Sequence, residues 1–176
     1  MVEGVGRVPT ATEEARFWAL VESAWAACGP QAARVRHFLV TRDPAVDDSS
    51  VSPDALATWT DQFLTQLRRQ SADLSSAELT DLDRVLERKL YDLDREEIHE
   101  YTDGSDDGFL YGRGFIVAAG HDFYRTVEAN PVMAVMDADC EKMCYFFADL
   151  HTERFGDDPD TGSGICRESG SNSDGW

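Results

Sequence analysis

The sequence predicts an all-α fold: a single-domain bundle of six to seven helices with an irregular C-terminal tail. Three observations predict it. Apolar residues recur at three- and four-residue spacing, helix-start signals precede those runs, and no stretch alternates apolar and polar residues as a sheet strand does. At 176 residues, 42% of them hydrophobic, the chain can bury a core without help from a metal or a disulfide.

The elements follow in order. Residues 1–11 read as an N-terminal arm, 12–156 as the helical domain and 157–176 as a Gly/Ser/Asp-rich tail. Thr12 followed by Glu13 and Glu14 reads as a helix start, because first-turn acids complement the helix dipole. Phe17, Leu20, Val21, Ala24, Trp25 and Cys28 then keep helical spacing until Gly29-Pro30. Pro30 suits the first turn of a second helix burying Val35, Phe38 and Leu39. TRDPAVDDSSVS lacks periodicity and reads as a loop.

Ser52-Pro53-Asp54 supplies a cap, a first-turn proline and a first-turn acid, ahead of the stripe Leu56, Trp59, Phe63 and Leu67. Ser75 and Glu78 have capping-box spacing, ahead of Leu79, Leu82, Leu86 and Leu90. These two segments predict an antiparallel helical hairpin. Asp94 reads as the cap of a short helix through Tyr101. A last helix carries Cys140, Met143, Cys144, Phe147 and Leu150, with Phe155-Gly156 as its end.

The segment 105–128 carries most of the chemistry. At 100° per residue, Phe109, Leu110, Ile116, Val117, Phe123, Tyr124 and Val127 share one arc of a single helix. Arg113 falls inside that arc, as does Asp106. A buried guanidinium needs a partner, since an isolated buried charge costs many kcal/mol, and Asp106 or an acid of the preceding loop is the nearest in sequence. Two alternatives stand: a structural ion pair, or a pocket in which Arg113 holds an anionic ligand group, with Asp106 and Tyr124 as the other binding candidates. Gly108, Gly112 and Gly114 on the same helix point to close approach by another backbone or a ligand.

The run DGSDDGFLYGRGFIVAAG, the opening ARFWALVESAW and the Phe-Tyr before Asn130-Pro131 resemble the bacterial domain-of-unknown-function family 4240. The likeness spans most of residues 13–155, and Ser105, Asp106, Asp107, Gly108, Phe109, Arg113 and Gly114 match its pattern. Gly112 departs from it, standing where an aromatic is common, and so does the charged stretch before Asp103. The resemblance implies a helical domain and brings no activity with it.

Other chemistry is thin. Glu96 and His99 make half of a di-iron motif, but Arg34, Ala118 and Ala148 stand where the other histidines would need an acid. His99, with Asp106 and Asp107, is the candidate acid/base set; His121 lies roughly 22 Å from Asp106 along one helix. Cysteines 28, 140, 144 and 166 fit no zinc or redox spacing, so no metal and no cofactor is expected.

The formal net charge of −18 argues against nucleic acid and anionic membranes. No signal-peptide pattern or span-length apolar run is present, which predicts a cytoplasmic protein with reduced thiols. The functional expectation is a small binding or accessory domain for a protein or peptide partner, a basic one suiting the charge, as an immunity-type protein would meet a toxin. The alternative is an enzyme or small-ligand binder around Arg113, Asp106, Asp107 and His99. The sequence leaves the oligomeric state open.

Overall fold

The computed structural model describes residues 6–48 and 51–176, so residues 1–5 of the expected arm and 49–50 of the expected loop lie outside it. The described residues form nine α-helices and no strand, and seven of the helices have nine residues or more. No helix among them is long and apolar enough to cross a membrane.

Helix α1 spans Ala11–Ala26. Its cap is Thr10, two residues before the expected start. The Thr10 hydroxyl accepts from the Glu13 amide at 3.1 Å, while the Glu13 carboxylate accepts from the Thr10 amide at 2.7 Å. That reciprocal pair satisfies two otherwise free N–H groups and fixes the helix start. Helix α2, Pro30–Thr41, starts after Gly29, whose φ of 90° favours glycine. It buries Ala32 and Leu39, and Val35 and Phe38 are only half-buried.

Helices α3, Pro53–Ser71, and α4, Ser76–Asp92, start at the expected caps, Ser52 and Ser75. They do not pair as a hairpin. Both pack on α1, and α4 packs on α9, Phe146–Phe155. The aromatics of α1 explain this: Trp25 stacks on Phe63 of α3 at 4.7 Å, and Phe17 meets Phe147 of α9 edge-on at 6.0 Å. Large rings contribute heavily to the surface buried between helices, and those of α1 seat its neighbours on it.

The single helix expected over 105–128 is two: α6, Asp106–Ala118, and α7, His121–Ala129. Gly120, at φ 104°, turns the chain between them. Side chains of α1 and α2 take up the backbone groups this break frees. Trp25 Nε1 donates to the Ala118 carbonyl at 2.7 Å and Arg36 Nε to the Ala119 carbonyl at 2.8 Å. The Glu22 carboxylate accepts the His121 amide at 3.1 Å. A helix end supplied with partners on both sides costs little to break.

The short α5, Glu96–His99, is preceded by Arg95 in the cap position, not by a capping Asp94. After α7, Pro131–Met133 forms a 3-10 turn. The expected last helix is also divided, into α8, Glu141–Cys144, and α9, at Tyr145; Gly156 ends α9 in the left-handed conformation, φ 88°.

Helix α6 lies at the centre, packed on α4, α7 and α8. The approach of α8 accounts for one of its glycines. A Cβ on Gly114 would stand 2.6 Å from the Cys140 carbonyl oxygen and 2.6 Å from the Cys144 sulfur. The Cys140 amide also donates to the Tyr111 carbonyl at 2.9 Å, which holds α8 in place. Gly114→Ala should destabilise the fold by about 2 kcal/mol through overpacking. At Gly112 the added atom meets nothing closer than 3.4 Å, so Gly112→Ala should stay near the parent in denaturant melts.

Candidate functional site

Arg113 is fully buried, its guanidinium 4.7 Å above the Phe109 ring. It is not paired with Asp106. One Nη donates to the Leu90 carbonyl at the end of α4, at 2.9 Å. The other donates to the Arg167 carbonyl at 3.1 Å and the Ser169 hydroxyl at 3.2 Å. Burial lowers its pKa, and Asp94 is the chief charge opposing that shift. The glycine-rich helix therefore delivers a guanidinium to the chain's own C-terminal segment.

The remaining sequence candidates are spread out. Asp106 and Asp107 are exposed on the first turn of α6, and Asp106 joins the Arg113 network only through its backbone carbonyl, which accepts from Ser169 at 2.6 Å. An exposed first-turn acid is already stabilised by the dipole and gains nothing by folding inward. The His99 ring packs on Phe109 at 4.9 Å and Trp176 at 5.4 Å. Tyr124 belongs to another locus because Gly120 separates α6 from α7. It lies buried against Trp18 and under Lys89, with no partner for its hydroxyl among the described residues. Burial, reinforced by Asp92, Glu128 and Glu14, raises its pKa. Thus Arg113, Asp106 and His99 border one region, and Tyr124 does not.

Residues 161–170 alternate in burial. Thr161, Ser163, Ile165, Arg167 and Ser169 turn inward, while Gly162, Gly164, Cys166, Glu168 and Gly170 are exposed. That is the signature of an extended strip lying on a surface. Its floor is largely charged. Arg84 Nε donates to the Thr161 carbonyl at 2.6 Å, and Ser163 donates to Glu87 at 2.6 Å. Arg167 meets Asp83 at 2.6 Å, Glu87 at 3.3 Å and the Cys144 carbonyl. Asp94, fully buried, accepts from the Gly170 amide at 2.9 Å, the Asn172 amide at 2.9 Å and the Trp176 indole at 3.1 Å.

Two carboxylates share the one Arg167 guanidinium, so the triad carries a surplus negative charge. Burial first, then Glu87 beside it, raises the Asp83 pKa against the pull of Arg167. Arg167, which burial alone would lower, is raised by the same two carboxylates.

A second feature lies at the far end of α2. A cleft of about 570 Å³ opens between the loop after α2, Tyr101 and the segment 132–136. Val46, Tyr101, Val132 and Met136, four of the exposed large apolar side chains, line it, with Asp47 and Asp48 among the other lining residues. Arg42, also in its lining, ties the end of α2 to the segment after α7, donating to the Met133 carbonyl at 2.8 Å and the Ala134 carbonyl at 3.3 Å.

No protein-family model, curated protein or solved structure matches this chain. What the site can do follows from its own chemistry.

Sequence reasoning missed Asp83, Arg84, Glu87 and Arg167, and it gave Asp94 the role of a helix cap. One signal was there: Asp83 falls about 40° from Leu79 on the α4 wheel, at the margin of the leucine stripe. His151 was missed as well. Its ring bridges the Ser76 hydroxyl and the Asp157 carbonyl, each at 2.7 Å, and so fastens the end of α9 to the start of α4. Among the described residues no three His, Cys, Asp or Glu side chains cluster as metal ligands would.

The four cysteines are free. Burial pushes the Cys140 and Cys144 thiols up to about 12, and raises Cys28 against the influence of Arg36. At pH 8 a thiol of that kind is thiolate on the order of one part in ten thousand. Iodoacetamide at pH 8 should therefore label exposed Cys166 first and half-buried Cys28 slowly. Cys140 and Cys144 should react only after unfolding, as peptide mass mapping would read.

Proposed function

We propose that this protein is a small binding module that recognises a basic, amphipathic segment of a partner protein, and that the cleft beyond α2 is where it does so. The observation that carries this is the convergence of Val46, Tyr101, Val132 and Met136, exposed apolar side chains from separate parts of the chain, on one concavity. Single exposed apolar residues are ordinary, but a cluster rimmed by polar groups marks an interaction surface. The formal charge of −18 and the exposed Asp47 beside the cleft favour a cationic partner and speed its approach. On this proposal the chain acts in a bacterial cytoplasm as an accessory or immunity-type protein, within the family 4240 that its sequence resembles. An enzyme or anion site at Arg113 has less support, because its guanidinium is already engaged by Leu90, Arg167 and Ser169.

The test uses a synthetic amphipathic helix of lysine and leucine, titrated by fluorescence anisotropy. The expected result is saturable binding that weakens as salt rises. Met136→Asp should weaken it at least tenfold while the melting temperature holds, since Met136 is exposed. Equal binding by parent and variant would remove the cleft from consideration.

A further inference from the structure

The C-terminal segment is held mainly by charge and hydrogen bonds, with ring contact confined to Trp176 against His99 and Phe109 and to Arg167 over Tyr145. Of the large apolar side chains in 161–176, Ile165 is half-buried and Trp176 is 47% exposed. The floor beneath offers two kinds of group. Asp83, Glu87 and Asp94 accept from the segment's guanidinium, hydroxyl, amides and indole. Arg84 and Arg113 donate to its backbone carbonyls.

A floor of this kind has two physical properties. First, four of the groups it reads, the Thr161 and Arg167 carbonyls and the Gly170 and Asn172 amides, are main chain, which any extended peptide presents; the side-chain requirement is chiefly an arginine between small polar residues. Second, release is not prohibitive. Buried charges carry a desolvation cost that water removes on exposure, whereas an apolar seat would be left bare. The floor also has spare capacity while occupied: Arg113 Nε, on a fully buried side chain, has no hydrogen-bond partner among the described residues.

We propose that the strip formed by α4, Asp94 and Arg113 is a binding groove for extended peptides carrying an arginine among small polar residues, and that residues 161–176 are its tethered, exchangeable occupant. The groove is separate from the apolar cleft and does not depend on it. The ligand's arginine enters between Asp83 and Glu87, its carbonyls face Arg84 and Arg113, and its following amides meet Asp94. Tethering gives the chain's own segment an effective concentration in the millimolar range, so a free peptide competes poorly until the tethered one is weakened.

Weakening the tethered segment is therefore the way to expose the groove. A fluorescein-labelled peptide with the sequence of residues 161–176 is titrated with the full parent chain and with the full Arg167→Ala chain. The Arg167→Ala chain should bind it at least tenfold more tightly than the parent, and its Gly170 and Asn172 amides should exchange hydrogen faster. A labelled peptide carrying the same Arg167→Ala change should bind the variant chain at least tenfold more weakly. Equal affinity for both chains, no binding by the variant, or unchanged amide exchange in it would each overturn the proposal. If Arg167→Ala does not fold, the Ser163→Ala/Ser169→Ala chain takes its place, because it loosens the segment while leaving the Arg167 ion pairs in place. The same gain in affinity is expected of it, and equal affinity, no binding or unchanged exchange would overturn the proposal there too.

Discussion

Arg113→Ala should cost about 3–5 kcal/mol, a large share of what holds a domain of this size together. The loss has two parts. Truncation leaves a void under Phe109, and it strips the Leu90 carbonyl, buried at the end of α4, of its donor. Arg113→Met should recover about 1–2 kcal/mol of this, because it refills the volume without restoring the hydrogen bonds. Asp106→Leu should stay within about 0.5 kcal/mol of the parent, and the Arg113→Met/Asp106→Leu double should equal the sum of its singles. Ser169→Ala, by contrast, should show measurable coupling to Arg113→Met in the same urea melts, since the two side chains touch. Strong coupling between 113 and 106 would show that the ion pair expected from the helical wheel exists after all.

The wheel misled for a physical reason. It asks only which residues share an arc, and Asp106 shares one with Arg113, but a first-turn acid has water and the helix dipole for company. The wheel also treated 105–128 as one rod. Gly120 broke it, and the partners that make the break inexpensive, Trp25, Arg36 and Glu22, are about a hundred residues away in sequence for two of the three contacts. Local signals did better: Ser52, Ser75 and Gly156 end or begin helices where their chemistry says they should.

Capping is decided within four residues, so it can be read from four residues. The tail was the least legible part. Its Gly, Ser and Asp have no periodicity that a core demands, and it is ordered by groups on α4 and at Asp94 that look, one at a time, like ordinary surface charges. The cleft was illegible for a related cause. Val46, Tyr101, Val132 and Met136 belong to no stripe, and only the tertiary fold brings them together.

Asp94 gives the second large expected effect. Its two oxygens accept three N–H groups from the tail, all to a fully buried carboxylate, and hydrogen bonds to a charged group contribute about 1.5–3 kcal/mol each. The bonds are not additive, because one motion of the segment breaks all three. Asp94→Ala should therefore cost about 3 kcal/mol, and Asp94→Asn about 2 kcal/mol, since an amide keeps one acceptor and turns an N–H toward the other donors. Trp176→Phe, which removes the indole bond and part of the ring contact with His99 and Phe109, should cost about 1 kcal/mol. Hydrogen exchange should place the loss at Gly170 and Asn172 before it appears in α1 or α3. Asp94 is also the chief charge opposing the desolvation of Arg113, so deleting both leaves neither charge unbalanced. The Asp94→Ala/Arg113→Ala double should consequently cost at least about 1 kcal/mol less than the sum of the singles. Strict additivity would mean that the carboxylate and the guanidinium hold the segment independently of each other.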